Sequence, residues 1–207
     1  MSEANVRVRA GTARRQRGRE RVDKILDAAR AVFLEEGYAG LRLRRVAEIA
    51  GISLGNLTYY FSSKADLFES MIDLVLSEYA RRNEELSQQF ADDPAEKARS
   101  YFEFLFADCR NPETQQFFYQ FWATAAHDPF VTAARQRVYG NFYDQVCDIC
   151  RHVNPDLPEE TLSARTYLVM AMVEGLHVIL GNAGRPAQVP EVIEAEFMKQ
   201  TMRLVRS

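Results

Sequence analysis

The sequence predicts an all-α protein of about nine helices. Three observations carry this. Apolar residues recur at helical spacing through most of the 207 residues. No stretch alternates as a strand does, and no Asn-Gly or Asp-Gly pair marks a hairpin. Pro94 after Asp93, Pro129 after Asp128, and Pro190 stand where prolines begin helices.

Charge divides the chain. Residues 1–64 carry 13 Lys+Arg against 7 Asp+Glu, while residues 65–207 carry 13 against 22. A basic segment joined to an acidic body fits a protein whose first part meets a polyanion, though chance unevenness fits too. Three cysteines do not make a disulfide framework, no apolar run is long enough for a bilayer, and the arginine-rich start lacks a signal-peptide core. A reduced, cytoplasmic protein with no membrane role is expected.

The elements follow in order. Residues 1–19, with Arg7, Arg9, Arg14, Arg15, Arg17 and Arg19, read as a flexible basic arm. A helix begins near Arg21, where Val22, Ile25, Leu26, Ala29 and Phe33 share one face, and Gly37 stops it. A short helix carries Leu43, Val46, Ala47 and Ala50 and ends at Gly51. Ser53 caps a third helix reaching Tyr60, and Ser63 with Asp66 forms a capping box for a fourth. Further breaks fall near 91–94, 110–113, 126–129, 154–158 and 183–190. The expected division is the arm over 1–19, a first domain over 20–66 and a larger body over 67–207.

The pair of short helices around Gly51 has the form of a helix-turn-helix, whose second helix enters the DNA major groove. Two short helices in an ordinary bundle fit the same periodicity. If Ile52, Leu57 and Phe61 face inward, then Leu54, Gly55, Asn56, Thr58 and Tyr59 face outward. Asn56 is suited to a base edge, Leu54 and Thr58 to a thymine methyl, and side-chain-free Gly55 to close approach. Tyr59, Tyr60 and Lys64 are the candidates for phosphate contacts, with Arg42, Arg44 and Arg45 at the start of the preceding helix, and the capping Ser53 is counted among the DNA-binding residues.

Residues 21–68 resemble the DNA-binding domain of the TetR/AcrR family of bacterial transcriptional regulators. The resemblance is carried by Gly37-Tyr38, by Val46-Ala47-Glu48-Ile49-Ala50-Gly51-Ile52-Ser53, and by Gly55, Leu57, Tyr60-Phe61, Lys64 and Leu67. It implies an all-helical homodimer with an N-terminal helix-turn-helix and a larger C-terminal domain that binds a small ligand. Two positions depart from the family pattern. Leu41-Arg42 stands where the family commonly has two threonines, the second a helix cap, and Thr58 stands where it often has tyrosine.

In the body, Ala164, Leu168, Ala171, Met172, Gly175 and Ile179 form a stripe with small residues, and Phe197, Met198 and Met202 lie on the last helix. The resemblance implies that these two helices build the dimer interface; intramolecular core is the alternative. The densest aromatic run is FFYQFWATAAHDP, Phe117 to Pro129. Phe102, Phe106, Phe118, Tyr119, Trp122 and Tyr143, with Glu174 and His177 as polar residues in an apolar helix, are the candidate ligand-pocket residues, although aromatic core also fits. Aromatic faces beside a carboxylate suit a cation. The FWATAAHDP run also resembles the choline-responsive betaine-pathway branch of the family, which implies a cationic effector.

Cys147-x-x-Cys150 has redox or metal spacing but sits within a helical run with no second pair. His127, His152 and His177 are scattered, and no nucleophile motif or phosphate loop is present. No enzyme activity, cofactor or metal is expected. The function expected is that of a ligand-responsive, sequence-specific transcriptional regulator, a repressor acting as a dimer on a pseudo-palindromic operator. A same-fold activator or ligand-independent regulator is the alternative, and a helical protein–protein adaptor is the alternative of a different class.

Overall fold

A computed structural model describes residues 3–181 and 190–206. Among them run nine helices and no strand. They are α1 (Glu3–Gly40), α2 (Leu43–Ala50), α3 (Leu54–Tyr60), α4 (Lys64–Gln89), α5 (Pro94–Cys109), α6 (Pro112–Ala125), α7 (Pro129–Val153), α8 (Glu159–Gly181) and α9 (Pro190–Arg206). The chain forms two compact units, Met1–Leu74 and Val75–Ser207.

Local chemistry places the helix ends. Asp93, Asn111 and Asp128 each accept a backbone N–H of the following first turn, and each is followed by proline. A proline there has no N–H to leave unpaired. Ser63 Oγ accepts the Asp66 N–H at 3.1 Å, while the Asp66 carboxylate accepts the Ser62 hydroxyl. α1 starts at Glu3, upstream of the periodic pattern, and takes in most of the arginine-rich segment. Arginine and alanine are strong helix formers and no proline interrupts them. Gly37 ends the regular part of α1 with φ 66°, ψ −173°, as its position in the pattern predicts. Apart from Pro190, the break expected at 183–190 lies outside the described residues.

The first unit closes around Ile25, Ala29, Val32, Phe33, Leu41, Val46, Leu57, Leu67, Phe68 and Ile72, all essentially inaccessible. The Phe68 ring sits 5.6 Å from Phe33 and 4.8 Å from Tyr38. In the second unit the core is built on α5. Phe102, Leu105, Phe106 and Cys109 pack with Val146, Ile149 and Cys150 of α7, Val169 and Val173 of α8, and Phe197, Met198, Met202 and Val205 of α9. Each such side chain contributes about 1.5–3 kcal/mol when fully buried. No helix among the described residues is long and apolar enough to cross a membrane.

Candidate nucleic-acid interface and ligand cavity

The turn between α2 and α3 is set by Gly51, at φ 63°, ψ 41°. This left-handed backbone lets the Gly51 N–H donate to the Glu48 carbonyl at 3.1 Å and the Ile52 N–H to the Ala47 carbonyl at 3.0 Å. The paired bonds are a Schellman ending, which satisfies the last carbonyls of α2 and redirects the chain. Ser53 then caps α3, its Oγ accepting the Asn56 N–H at 3.2 Å. Leu57 is fully buried and Phe61 nearly so, which fixes the roll of this seven-residue helix.

That roll turns Leu54, Gly55, Asn56, Thr58 and Tyr59 to solvent. Tyr59 is 81% exposed, unusual for an aromatic ring, and meets Tyr60 edge-on at 5.1 Å. A Cβ on Gly55 would meet nothing within 4 Å, so the backbone there is open to close approach. Thr58 Oγ1 donates back to the Gly55 carbonyl at 3.2 Å. Its hydroxyl proton is thus engaged, and the side chain presents a methyl and an acceptor outward.

The basic candidates differ among themselves. Arg42 is exposed at the N-cap of α2 and makes no side-chain cap bond, consistent with the loss of a capping threonine at this position. Leu41, the other departure, is fully buried. Arg45 is held within the unit: Nε donates to Glu36 Oε1 at 2.9 Å, with Glu35 Oε2 4.0 Å away. The Glu36 bond and charge raise its pKa. Lys64 Nζ lies 3.7 Å from the Tyr38 ring centroid, a cation–π contact that aims the ammonium.

The second unit contains a small cavity of about 50 Å³, lined by α4, α5, α6, α7 and α8. Of the candidate pocket residues, Phe118, Glu174 and His177 line it; Phe102, Phe106, Tyr119, Trp122 and Tyr143 do not. Phe102 and Phe106 point into the core, Phe106 lying 5.5 Å from Phe197. Tyr143 is bonded to Ser163, and Tyr119 donates to the His177 carbonyl at 2.7 Å. The remaining wall includes Tyr79, Tyr101, Leu105, Asp108, Tyr139, Phe142 and Gln145.

The polar groups of the cavity fall into satisfied and unsatisfied sets. Asp108 accepts Tyr79 OH on one oxygen and Thr114 Oγ1 at 2.9 Å on the other. Tyr101 OH donates to Gln145 at 2.6 Å. Trp122, behind the wall, donates its indole N–H to Tyr139 OH at 2.7 Å, and Tyr139 in turn bonds Glu174. Glu174 Oε2 and His177 Nε2 are buried and have no partner in the protein. Burial pushes the Glu174 carboxyl up to about 7 and lowers the His177 pKa. Burial also raises the Tyr79, Tyr139 and Cys109 pKa values.

Cys147 and Cys150 are buried free thiols, with burial pushing Cys150 up to about 11. Among the described residues, no cluster of His, Cys, Asp or Glu is placed to hold a metal ion.

Two family models match the chain. The model for bacterial regulatory proteins of the tetR family covers residues 25–71, and that for the C-terminal region of BetI-type transcriptional repressors covers residues 94–201. The chain belongs to the TetR family. The HTH-type transcriptional regulator BetI of Stenotrophomonas maltophilia is 26% identical over 161 residues, 75% of this chain and 79% of the relative. The HTH-type transcriptional regulator RutR of Escherichia coli K12 is 44% identical over 52 residues, 25% of this chain and 24% of that one. The crystal structure of a TetR transcription regulator from Haloarcula marismortui matches with TM-score 0.68 at 17% identity, covering 90% of this chain and 96% of that one. This TetR-family chain is therefore a DNA-binding transcriptional regulator, with its helix-turn-helix in the first unit.

As a TetR-family body, the second unit has an apolar face left over. On α8, Ala164, Leu168, Ala171, Gly175 and Ile179 are exposed and Met172 is half-buried. Leu168 is 54% exposed and Ile179 66%. The α9 candidates differ: Phe197, Met198 and Met202 are buried in the core of their own protomer. Among the described residues of α9, the exposed apolar ones are Val192 and Ala195 instead. On a helix with only one strongly apolar side, the large residues go to the nearest core, here the α5 side.

Proposed function

We propose that this regulator is a homodimeric repressor, not an enzyme, which leaves a pseudo-palindromic operator in the bacterial cytoplasm when a small cationic effector enters the cavity of its body. The observation that carries the DNA half is the exposed face of α3. Leu54, Asn56 and Thr58 read bases there, while Arg42, Ser53, Tyr59, Tyr60 and Lys64 hold phosphates. Arg45 joins them only by exchanging Glu36 for a phosphate. The α8 stripe from Ala164 to Ile179 pairs with its copy in the partner. Two heads then read half-sites about 34–36 Å apart.

The effector half is supported by Glu174, a carboxylate with one unpartnered oxygen in an aromatic-walled cavity. Charge neutralisation by a cation removes the cost of ionising it there. Signal transfer runs along α4, which begins at Lys64 and contributes Val75, Leu76 and Tyr79 to the cavity.

A gel-shift series on the region upstream of its own gene tests this. Specific binding should weaken steeply with salt. Asn56→Ala should relax base choice by about 1–3 kcal/mol, and Lys64→Ala should weaken all sequences alike. Equal losses on operator and random DNA for Asn56→Ala would overturn the assignment of Asn56. Absence of any specific DNA retention would overturn the repressor itself.

A further inference from the structure

Resting on the effector cavity above, the geometry narrows the chemistry of the ligand. Asp108 is not the group a ligand meets first, because Tyr79 and Thr114 already occupy both its oxygens. Glu174 differs. Tyr139 bonds its carboxyl group, and Oε2 is buried without a partner. One helical turn along α8, His177 is 4% exposed. Cys109 Sγ donates to the Val173 carbonyl at 3.4 Å, and His177 Nδ1 lies 3.4 Å from the same sulfur. With the thiol proton on the carbonyl, Nδ1 is the donor to the sulfur and carries the ring proton. Burial keeps the ring neutral, so Nε2 carries a bare lone pair.

The cavity thus offers two unfilled acceptors, a carboxylate oxygen and an imidazole nitrogen, one helical turn apart. Phe118, 5.1 Å from the His177 ring, and the Phe142 and Tyr101 rings supply apolar wall. A quaternary ammonium would gain from the rings but carries no N–H, and both acceptors would stay unsatisfied. An unsatisfied buried acceptor keeps its full desolvation cost. A neutral alcohol could donate one bond but would not neutralise the carboxylate.

We propose that the cavity takes a protonated primary or secondary amine, whose N–H groups bond Glu174 Oε2 and His177 Nε2 while its hydrocarbon part lies on the aromatic wall. An ammonium stabilises the ionised carboxylate, so binding expels the proton that Glu174 otherwise shares at neutral pH. The groups facing Glu174 act with it. They are Tyr139 on α7, Asp108 and Cys109 on α5, His177 on α8, and Tyr79 on α4, with Arg135 acting on Tyr139. Of these groups, burial leaves Tyr79, Tyr139 and Cys109 protonated at neutral pH and His177 uncharged, so Glu174 is the one that gives up a proton, to solvent, when the ligand binds.

Isothermal titration of the full chain with n-butylamine, n-butyltrimethylammonium and n-butanol tests this. It is run at pH 6.5 in two buffers of different ionisation enthalpy. The amine should bind at least about tenfold tighter than the quaternary ion. It should release roughly three-quarters of a proton. Glu174→Gln should abolish the release and most of the amine preference. His177→Leu should weaken the amine while leaving the proton count. Circular dichroism melts confirm that each variant is folded, and the wild-type comparison needs no variant at all. Equal or tighter binding of the quaternary ion overturns the amine and leaves a cationic effector standing. Binding of butanol alone, or of none of the three, overturns both.

Discussion

Replacing Glu174 by glutamine should make the protein more stable at pH 8 and change it little at pH 5. In the folded protein the Glu174 carboxyl is pushed from 4.5 to about 7 by burial. Between those values the native state holds a proton that the unfolded chain has lost, so stability falls as pH rises through this window. The shift corresponds to a full cost of about 3 kcal/mol above pH 7, of which about 2.5 kcal/mol appears between pH 5 and pH 8. Glutamine does not titrate, and its carbonyl oxygen can still accept the Tyr139 hydroxyl. Urea unfolding of both proteins at pH 5, 6, 7 and 8, at one protein concentration and ionic strength, measures the difference. Groups common to both chains cancel in the difference. The variant's advantage should grow with pH and level off near 8. A gap that stays constant with pH, or a wild type that gains on the variant as pH rises, would refute the desolvated carboxylate.

Other outcomes follow from the packing. Gly51→Ala should cost about 1–2 kcal/mol, because a side chain at φ 63° strains the turn; thermal unfolding checks it. Phe197→Ala should destabilise by about 3–5 kcal/mol through a core cavity, with secondary loss of dimer. Ile179→Asp should do the reverse, moving the species to monomer in analytical ultracentrifugation while chain stability changes by less than about 0.5 kcal/mol.

The reading head was legible in the sequence because local chemistry specifies it. Gly51 demands a left-handed turn, Ser53 a cap, and Leu57 the inward side, and each is fixed within a few residues. The cavity was less legible because a one-residue rotation decides it. On α5, Tyr101, Leu105 and Asp108 line the cavity, the first two at the edge of the core, whereas Phe102, Phe106 and Cys109, one step round the helix, lie in the core alone. Both rows are apolar and aromatic, so composition cannot rank them. Only packing against α7, α8 and α9 does. Glu174 and His177 were identifiable because a polar side chain in an apolar helix is costly wherever it points. Asp108 carried the same signal near the C-terminal end of α5 but lay beside a predicted break. On α8 the exposed row 164, 168, 171, 175 and 179 and the buried row 162, 166, 169, 173 and 177 alternate around one cylinder. The small residues of the first row distinguish it.

The bond from Trp122 to Tyr139, and from Tyr139 to Glu174, has an optical consequence. Trp122 is the chain's single tryptophan. Its indole N–H is two hydrogen bonds from the carboxyl group at the ligand site, yet the ring itself stands outside the cavity. Charging Glu174 strengthens the pull on the Tyr139 proton and makes its oxygen a better acceptor for the indole. The emission of one fluorophore therefore reports the protonation of one carboxylate, without a label and without a ring that competes for the cavity.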